Sequence, residues 1–284
     1  MPACITFPSP YSGLIGAVLP AAEEGYTQMK TVPDPSRNMD ERSWWDFWNR
    51  SYRTKDNNDA VSSELFERAA AVVNEITQTD GGRVLEVACG AGGLSRLLAY
   101  STYHGLDLSP AAVEIACEKA KDLGQLRGAS RPRYEAADFH VWPLQPDPFD
   151  VVVCVDAIVC FRDQRLAMRK MAQCLRPEGR LLLTAINSFV YNRIRRTPTT
   201  RLQNGPVSHW LSRRELHELV KSAGFTIERM WTIMPRGNRG ILRVINSHKL
   251  NHAFGPRCAA FLQRLKERVG LGQYHVIIAR KQAR

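Results

Sequence analysis

Residues 83–99 read RVLEVACGAGGLSRLLA. The first six, Arg83 to Ala88, form a short apolar run interrupted by Glu86, which predicts a buried strand. The last six, Leu94 to Ala99, carry leucines at helical spacing and predict the start of a helix. Between them stand Gly90, Gly92 and Gly93. Glycine loses more backbone freedom on folding than any other residue. Three of them at a strand-to-helix junction indicate that something approaches the backbone closely. In an open parallel sheet that junction lies outside the carboxyl end of a strand, where ligands bind and a helix start offers free N–H groups.

Strand and helix signals alternate on both sides of this stretch. Residues 61–76 read as an amphipathic helix opened by Ser62 or Ser63. Residues 103–108 are a second strand, closed by Ser109 and Pro110, a serine N-cap followed by proline at the first helical position. Strands are also predicted at 132–137, at 149–158, where the apolar run suits a central parallel strand, and at 176–186 after a turn. Helical spacing marks 165–175. A second helix runs from the capping box of Ser212 and Glu215 to Gly224. Strands follow at 225–230 and 273–280. Between these last two, CAAFLQRLKERV places Cys258, Phe261, Leu262, Leu265 and Val269 on one helical face and Arg257, Arg264, Lys266 and Arg268 on others. The alternation predicts an α/β fold with a doubly wound parallel sheet.

The 284 residues suit one large domain or a domain with an appended lobe. No apolar run approaches the about 18 residues of a membrane span. Seven cysteines, an odd number with no CxxC pair, argue against a disulfide framework and for a reducing, cytoplasmic setting. Residues 1–40 are rich in Pro, Gly and Ser, lack the positive start and long apolar core of a secretory signal, and read as a flexible tail. Charge is uneven. From Asn187 to Arg284, 19 Lys and Arg stand against 4 Asp and Glu, whereas the first 186 residues hold 20 against 24. The surplus of basic charge belongs to the last third, which would concentrate anions near itself or serve as a solubilising surface.

Which ligand the glycines serve depends on their register. Counting from Gly90, a dinucleotide fingerprint needs glycine at position 95, and Ser95 stands there. A P-loop lysine is also missing. The stretch VLEVACGAGG instead resembles the first motif of the class I, Rossmann-like S-adenosylmethionine (SAM)-dependent methyltransferase family, with Ala88 where that family often has glycine. GLDLSPAAVEIA resembles its second motif and AADF, residues 136–139, its third. The resemblance covers residues 60–186 well, and 210–230 and 273–280 more loosely. It implies a seven-stranded sheet of six parallel strands and a last antiparallel strand between the fifth and sixth, SAM as cofactor and no required metal. It also implies roles. The loop of Ala88, Gly90 and Gly92 packs on the methionine part and Glu86 helps hold its ammonium. Asp107 takes the ribose hydroxyls with Leu108 beside the adenine, Asp138 accepts from the adenine amino group and Phe139 covers the ring. Arg53 or Lys55 would pair the cofactor carboxylate.

On this reading residues 41–284 form the methyltransferase domain. Residues 41–60, with WWDFWNRSYR at 44–53, supply a lid helix, and 187–213 and 231–272 are insertions forming a basic substrate cap. Candidate bases above strands four to six are Asp156 and His209, with His140 following Asp138. Asp156 reads equally as a hydrogen-bond acceptor for substrate. Tyr191 and Trp210 are candidates to line the acceptor pocket or to fill the core of the cap. Residues 155–158 read VDAI, which lacks the motif for methylating an exocyclic base nitrogen. Cys154 and Cys160 lack the Pro-Cys setting for attack on a pyrimidine carbon. The expected function is methyl transfer to an oxygen or nitrogen of a small anionic metabolite, such as a sugar nucleotide, glycan precursor or carrier-bound intermediate. The alternatives are an RNA methyltransferase gripping phosphates with the basic third, and a protein of this fold that binds SAM without transferring methyl.

Overall fold

The computed structural model describes residues 46–50, 60–77, 82–121, 131–190, 211–234 and 255–283, together with a two-stranded ribbon pairing Arg201–Leu202 with Gly205–Pro206. Its elements are α1 (Ala60–Thr77), β1 (Arg83–Val87), β2 (Thr102–Asp107), α2 (Pro110–Ala120), β3 (Arg133–Ala136), β4 (Phe149–Cys154), α3 (Gln164–Cys174), β5 (Leu175–Ile186), α4 (Arg213–Ser222), β6 (Phe225–Ile233), α5 (Pro256–Arg268) and β7 (Tyr274–Lys281).

The seven strands lie in the order β3-β2-β1-β4-β5-β7-β6. Pairing is parallel from β3 across to β5. β7 runs antiparallel to both neighbours, Leu183 facing Ile277 on one side and Met230 facing Ile277 on the other. The strand that arrives last therefore slots between β5 and β6, as the resemblance implies. Helices bury both faces. On one, Leu85, Val152 and Leu183 meet Met168 and Met171 of α3 and Leu216 and Val220 of α4. On the other, Val84, Val153 and Leu182 meet Leu65, Ala69 and Val73 of α1 and Val113 and Ala116 of α2. Burial on both sides is why the central strands read as unbroken apolar runs.

Local signals hold where a single side chain decides them. The hydroxyl of Ser109 accepts from Ala112 N at 3.2 Å with Pro110 beginning α2. Ser212 and Glu215 form the reciprocal capping box of α4, and Gly224 beyond it takes φ +90°. Three expectations fail. The helix expected to open at Ser62 or Ser63 already begins at Ala60. Leu94 to Ala99 forms turns, not a helix, because Asn74 of α1 takes over its backbone groups: the Asn74 amide donates to Leu97 O at 3.1 Å and its carbonyl accepts from Ala99 N at 2.8 Å. β6 continues to Ile233, past the 231 boundary set for the second cap insertion, because β7 extends to pair with it from Tyr274 onward. Within that insertion, α5 is held on β6 and α1. Thr232 Oγ1 donates to Glu267 O at 2.7 Å, and Arg68 of α1 pairs with the Glu267 carboxylate at 3.0 Å.

Candidate active site

Parallel strands β3, β2, β1 and β4 end side by side, so their following loops share one edge of the sheet. Backbone bonds lace these loops together. Ala137 N donates to Asp107 O and Cys89 N to Leu106 O, both at 2.8 Å. Glu86, the 88–93 loop, Asp107, Leu108, Asp138 and Asp156 therefore all lie at this edge, four carboxylates contributed by four strands.

The loop after β1 is curled by left-handed residues at alternate positions: Ala88 at φ +61°, Gly90 at +53° and Gly92 at +72°. Alanine costs about 1 kcal/mol in that conformation, so the tight exit from β1 is imposed by the surrounding structure. The glycines answer to two different demands. A Cβ on Gly92 would stand 2.8 Å from Tyr134 Oη, and one on Gly93 would stand 2.9 Å from the Phe66 ring. These two make room for the protein's own aromatic rings. Gly90 instead gives its amide to Asp107 Oδ2 at 2.8 Å.

Asp107 is the hinge of the site. Its Oδ1 accepts from Ser109 N at 2.9 Å. A carboxylate offers about four lone-pair positions, so beside its backbone donors Gly90, Ser109 and Leu108 it keeps acceptor capacity for a hydroxyl. Burial raises Asp107 to about 6, against the backbone donors that favour its charge. Glu86 lies deeper, 1% exposed, and accepts from the Tyr103 hydroxyl. Burial pushes it up to about 8; the Tyr103 bond opposes the shift and the nearby Asp107 charge adds to it. Without a cationic partner, Glu86 holds a proton at neutral pH. This donor set fits SAM. Glu86, neutral until a cation arrives, and Asp107, with its backbone-held carboxylate, suit a ligand that brings an ammonium and a ribose diol.

Asp138 Oδ1 accepts from His140 N at 2.8 Å and faces His140 Nδ1 at 3.1 Å. Burial works against charge on both partners, and their mutual bond outweighs it: Asp138 titrates below its ordinary range and His140 above. Asp156 is half-buried, with a left-handed φ of +54° and its amide fixed by Thr184 Oγ1 at 2.9 Å. Such backbone strain clusters at functional sites. Phe139, next to Asp138, is buried at 4% exposure, edge-on to Phe161 at 6.2 Å, with the Lys170 ammonium 5.6 Å from its ring centre. His209, Trp210, Tyr191 and Arg53 lie outside the described residues, as does much of 187–213 and 231–272, the segments expected to form a cap. Among the described residues no cluster of His, Cys, Asp and Glu is grouped to hold a metal ion.

One participant escaped the sequence reading. Residues 46–50 form a helical turn whose Asn49 Oδ1 accepts from Ala111 N at 3.1 Å and from Ser109 Oγ at 3.4 Å. That fastens the aromatic segment over the start of α2, next to Asp107. The only signal in the sequence was an asparagine following Phe47 and Trp48, and nothing there says which helix start it reaches.

Sheet order, the curled loop and the paired acids define a SAM-binding α/β domain. The family described as "Methyltransferase domain" matches residues 61–229, and the chain belongs to that family, within the class I SAM-dependent methyltransferases, with SAM as its cofactor. It is 36% identical over 121 residues to the phthiotriol/phenolphthiotriol dimycocerosates methyltransferase of Mycobacterium leprae, 41% of each chain. With the uncharacterized methyltransferase YcgJ of Bacillus subtilis it shares 28% over 146 residues, 49% of this chain and 57% of that one. The matches thus span less than two thirds of these relatives' length. Among solved structures, magnesium protoporphyrin IX methyltransferase from Synechocystis PCC 6803 with bound SAM has a TM-score of 0.53 at 16% identity, covering 90% of this chain and 100% of that one. The [4+2]-cyclase SpnF also has a TM-score of 0.53, at 23% identity, covering 77% and 82%.

Proposed function

We propose that the protein transfers the methyl of SAM to an oxygen or nitrogen of a small anionic acceptor, free or carrier-bound. The observation that carries the cofactor half is Asp107, locked to the glycine loop through Gly90 and keeping acceptor capacity for a ribose hydroxyl. Bound SAM supplies a methyl already activated by its positive sulfur. The chain's residues then do the rest. Asp107 holds the ribose with Leu108 beside it, Glu86 gives up its proton to pair the ammonium, and Asp138 accepts from the adenine amino group. The helical turn at 46–50, fastened by Asn49, shields this end from water. Across the edge, Asp156 orients the acceptor or takes its proton, in a geometry set by Thr184. His209 is the second candidate base, with Tyr191 and Trp210 beside the acceptor and Arg53 on the cofactor carboxylate.

The anionic acceptor is supported by the charge of the last third, 19 basic against 4 acidic residues from 187 onward. The Mycobacterium leprae relative, named for phthiotriol and phenolphthiotriol dimycocerosates, supports a lipid acceptor instead. A cyclase with the same fold is a reminder that fold alone does not carry methyl transfer. The deciding experiment incubates the protein with methyl-labelled SAM and, separately, an aqueous metabolite extract, a lipid extract and total RNA. Label in the aqueous fraction, lost in Asp107→Ala, is the expected result. Label confined to lipid or RNA overturns the acceptor class. No label in any fraction, with SAM bound, overturns transfer itself.

A further inference from the structure

Helix α5 carries an apolar row that the fold leaves in solvent. Phe261 is 63% exposed, Leu265 46% and Val269 61%. They recur every fourth residue, Val269 as the C-cap, and so form one stripe along a helix of 13 residues, about 20 Å long. The helix is not free to roll and hide them. Its opposite side is anchored by the Thr232 and Arg68 bonds to Glu267, with Ala259 and Lys266 buried against the domain. Beside the stripe runs a basic row, Arg257, Arg264 and Arg268, all exposed. Among the described residues neither Arg264 nor Arg268 has a carboxylate partner; Arg264 Nε reaches only its own helix, at Ala260 O, 3.4 Å away.

A cleft of about 320 Å³ opens between this row and β6, lined by Arg229, Met230, Trp231, Arg264, Glu267 and Arg268. Three guanidiniums face one carboxylate there, and Arg68 already pairs that carboxylate. Arg229 stacks at 4.9 Å from the Trp231 ring centre and pairs with Glu75 of α1 at 3.1 Å. An apolar stripe alone would suit many partners. A stripe flanked by cations, with a basic, aromatic-floored cleft at its side, matches a surface that is apolar within and anionic at its face, which is an anionic lipid bilayer. The patch also leads toward the candidate active site. The Asn187 side-chain amide, just after β5, donates to Gly270 O at 3.0 Å and Gly272 O at 2.8 Å, joining the end of α5 to the carboxyl edge of the sheet. Phe189, two residues on, is 55% exposed.

We propose that α5 docks the protein on anionic membranes. Phe261, Leu265 and Val269 enter the acyl boundary, and a lipid phosphate sits in the arginine cleft beside β6. The inference goes beyond the proposed reaction, and its test needs no turnover. Full-length protein is sedimented with vesicles of phosphatidylcholine alone and of an equal mixture of phosphatidylcholine and phosphatidylglycerol. The expected result is binding to the mixture only, weakened by salt. Phe261→Ser with Val269→Ser abolishes it. Arg264→Gln with Arg268→Gln weakens it roughly 25-fold, at about 5-fold per arginine. Arg214→Gln with Lys221→Gln, the same loss of charge on α4, leaves it nearly intact. All six positions are exposed, five within α5 or α4 and Val269 at the C-cap of α5, and thermal melts check that each variant is folded. No binding to the mixture, equal loss in the α4 control, or binding that survives both α5 variants overturns the proposal. So does concentration-dependent dimerisation abolished by Phe261→Ser, which assigns the stripe to a second copy.

Discussion

Glu86 offers the sharpest test of the electrostatics. Its folded-state value of about 8 lies above the ordinary 4.5. A carboxyl raised in this way adds stability that is complete below its unfolded value and lost as pH rises through its folded value. Between pH 5 and pH 8.5 that loss amounts to about 4 kcal/mol for this one group, taking about 1.4 kcal/mol for each tenfold change in proton affinity between the folded and unfolded chain. Glu86→Gln keeps the shape and an acceptor for the Tyr103 hydroxyl but cannot ionise. The variant should therefore match the wild type near pH 5 and exceed its stability increasingly toward pH 8.5. Urea unfolding of both proteins across that range reads the difference directly, and subtraction removes Asp107 and the histidines, which both share. Parallel stability profiles would refute the reasoning, since they would mean that Glu86 is already ionised and paired in the ligand-free protein. With S-adenosylhomocysteine present the advantage should shrink, because an ammonium beside Glu86 restores its charged form and releases a proton that calorimetry in two buffers detects.

Further outcomes follow from single contacts. Asp107→Asn sets an amide N–H against the amide of Gly90 or Ser109; calorimetry should find S-adenosylhomocysteine binding weakened on the order of 100-fold, and unchanged affinity would remove the residue from the site. Gly92→Ala forces a Cβ to 2.8 Å from Tyr134 Oη at a φ of +72°, and chemical denaturation should show a loss of about 1–3 kcal/mol. His275 of β7 is 2% exposed, neither ring nitrogen is hydrogen-bonded among the described residues, and burial, helped by Arg213, lowers its pKa to about 4. His275→Leu should therefore raise the thermal midpoint, by about 1 kcal/mol or more in stability; a lower midpoint would show that the imidazole has a partner in solution. Asn49→Ala removes the acceptor for Ala111 N, and limited proteolysis should cut faster near residues 46–50 than in the wild type.

Much of this protein could be read from short-range pattern. The β1 run, the Ser109–Pro110 helix start and the Ser212–Glu215 box depend on neighbours a few residues apart, and each formed where expected. The failures share one cause. Leu94–Ala99 has helical spacing, but Asn74, some twenty residues earlier, claims its backbone. The helical wheel of α5 gathers Phe261 and Leu265 on one face without saying whether it turns inward, and the tethers from Arg68 and Thr232 settle that it does not.

The sequence by itself determined the alternating strands and helices, the acids that follow three strands and the glycine loop, because periodicity and capping are written in residues that touch along the chain. Only the tertiary structure decided why each glycine is there, which helix face meets solvent, and that Asn49 reaches the start of α2. Those outcomes rest on pairs that lie far apart along the chain, as Tyr134 against Gly92 and Arg68 against Glu267 do, and no local pattern encodes the geometry of such a meeting.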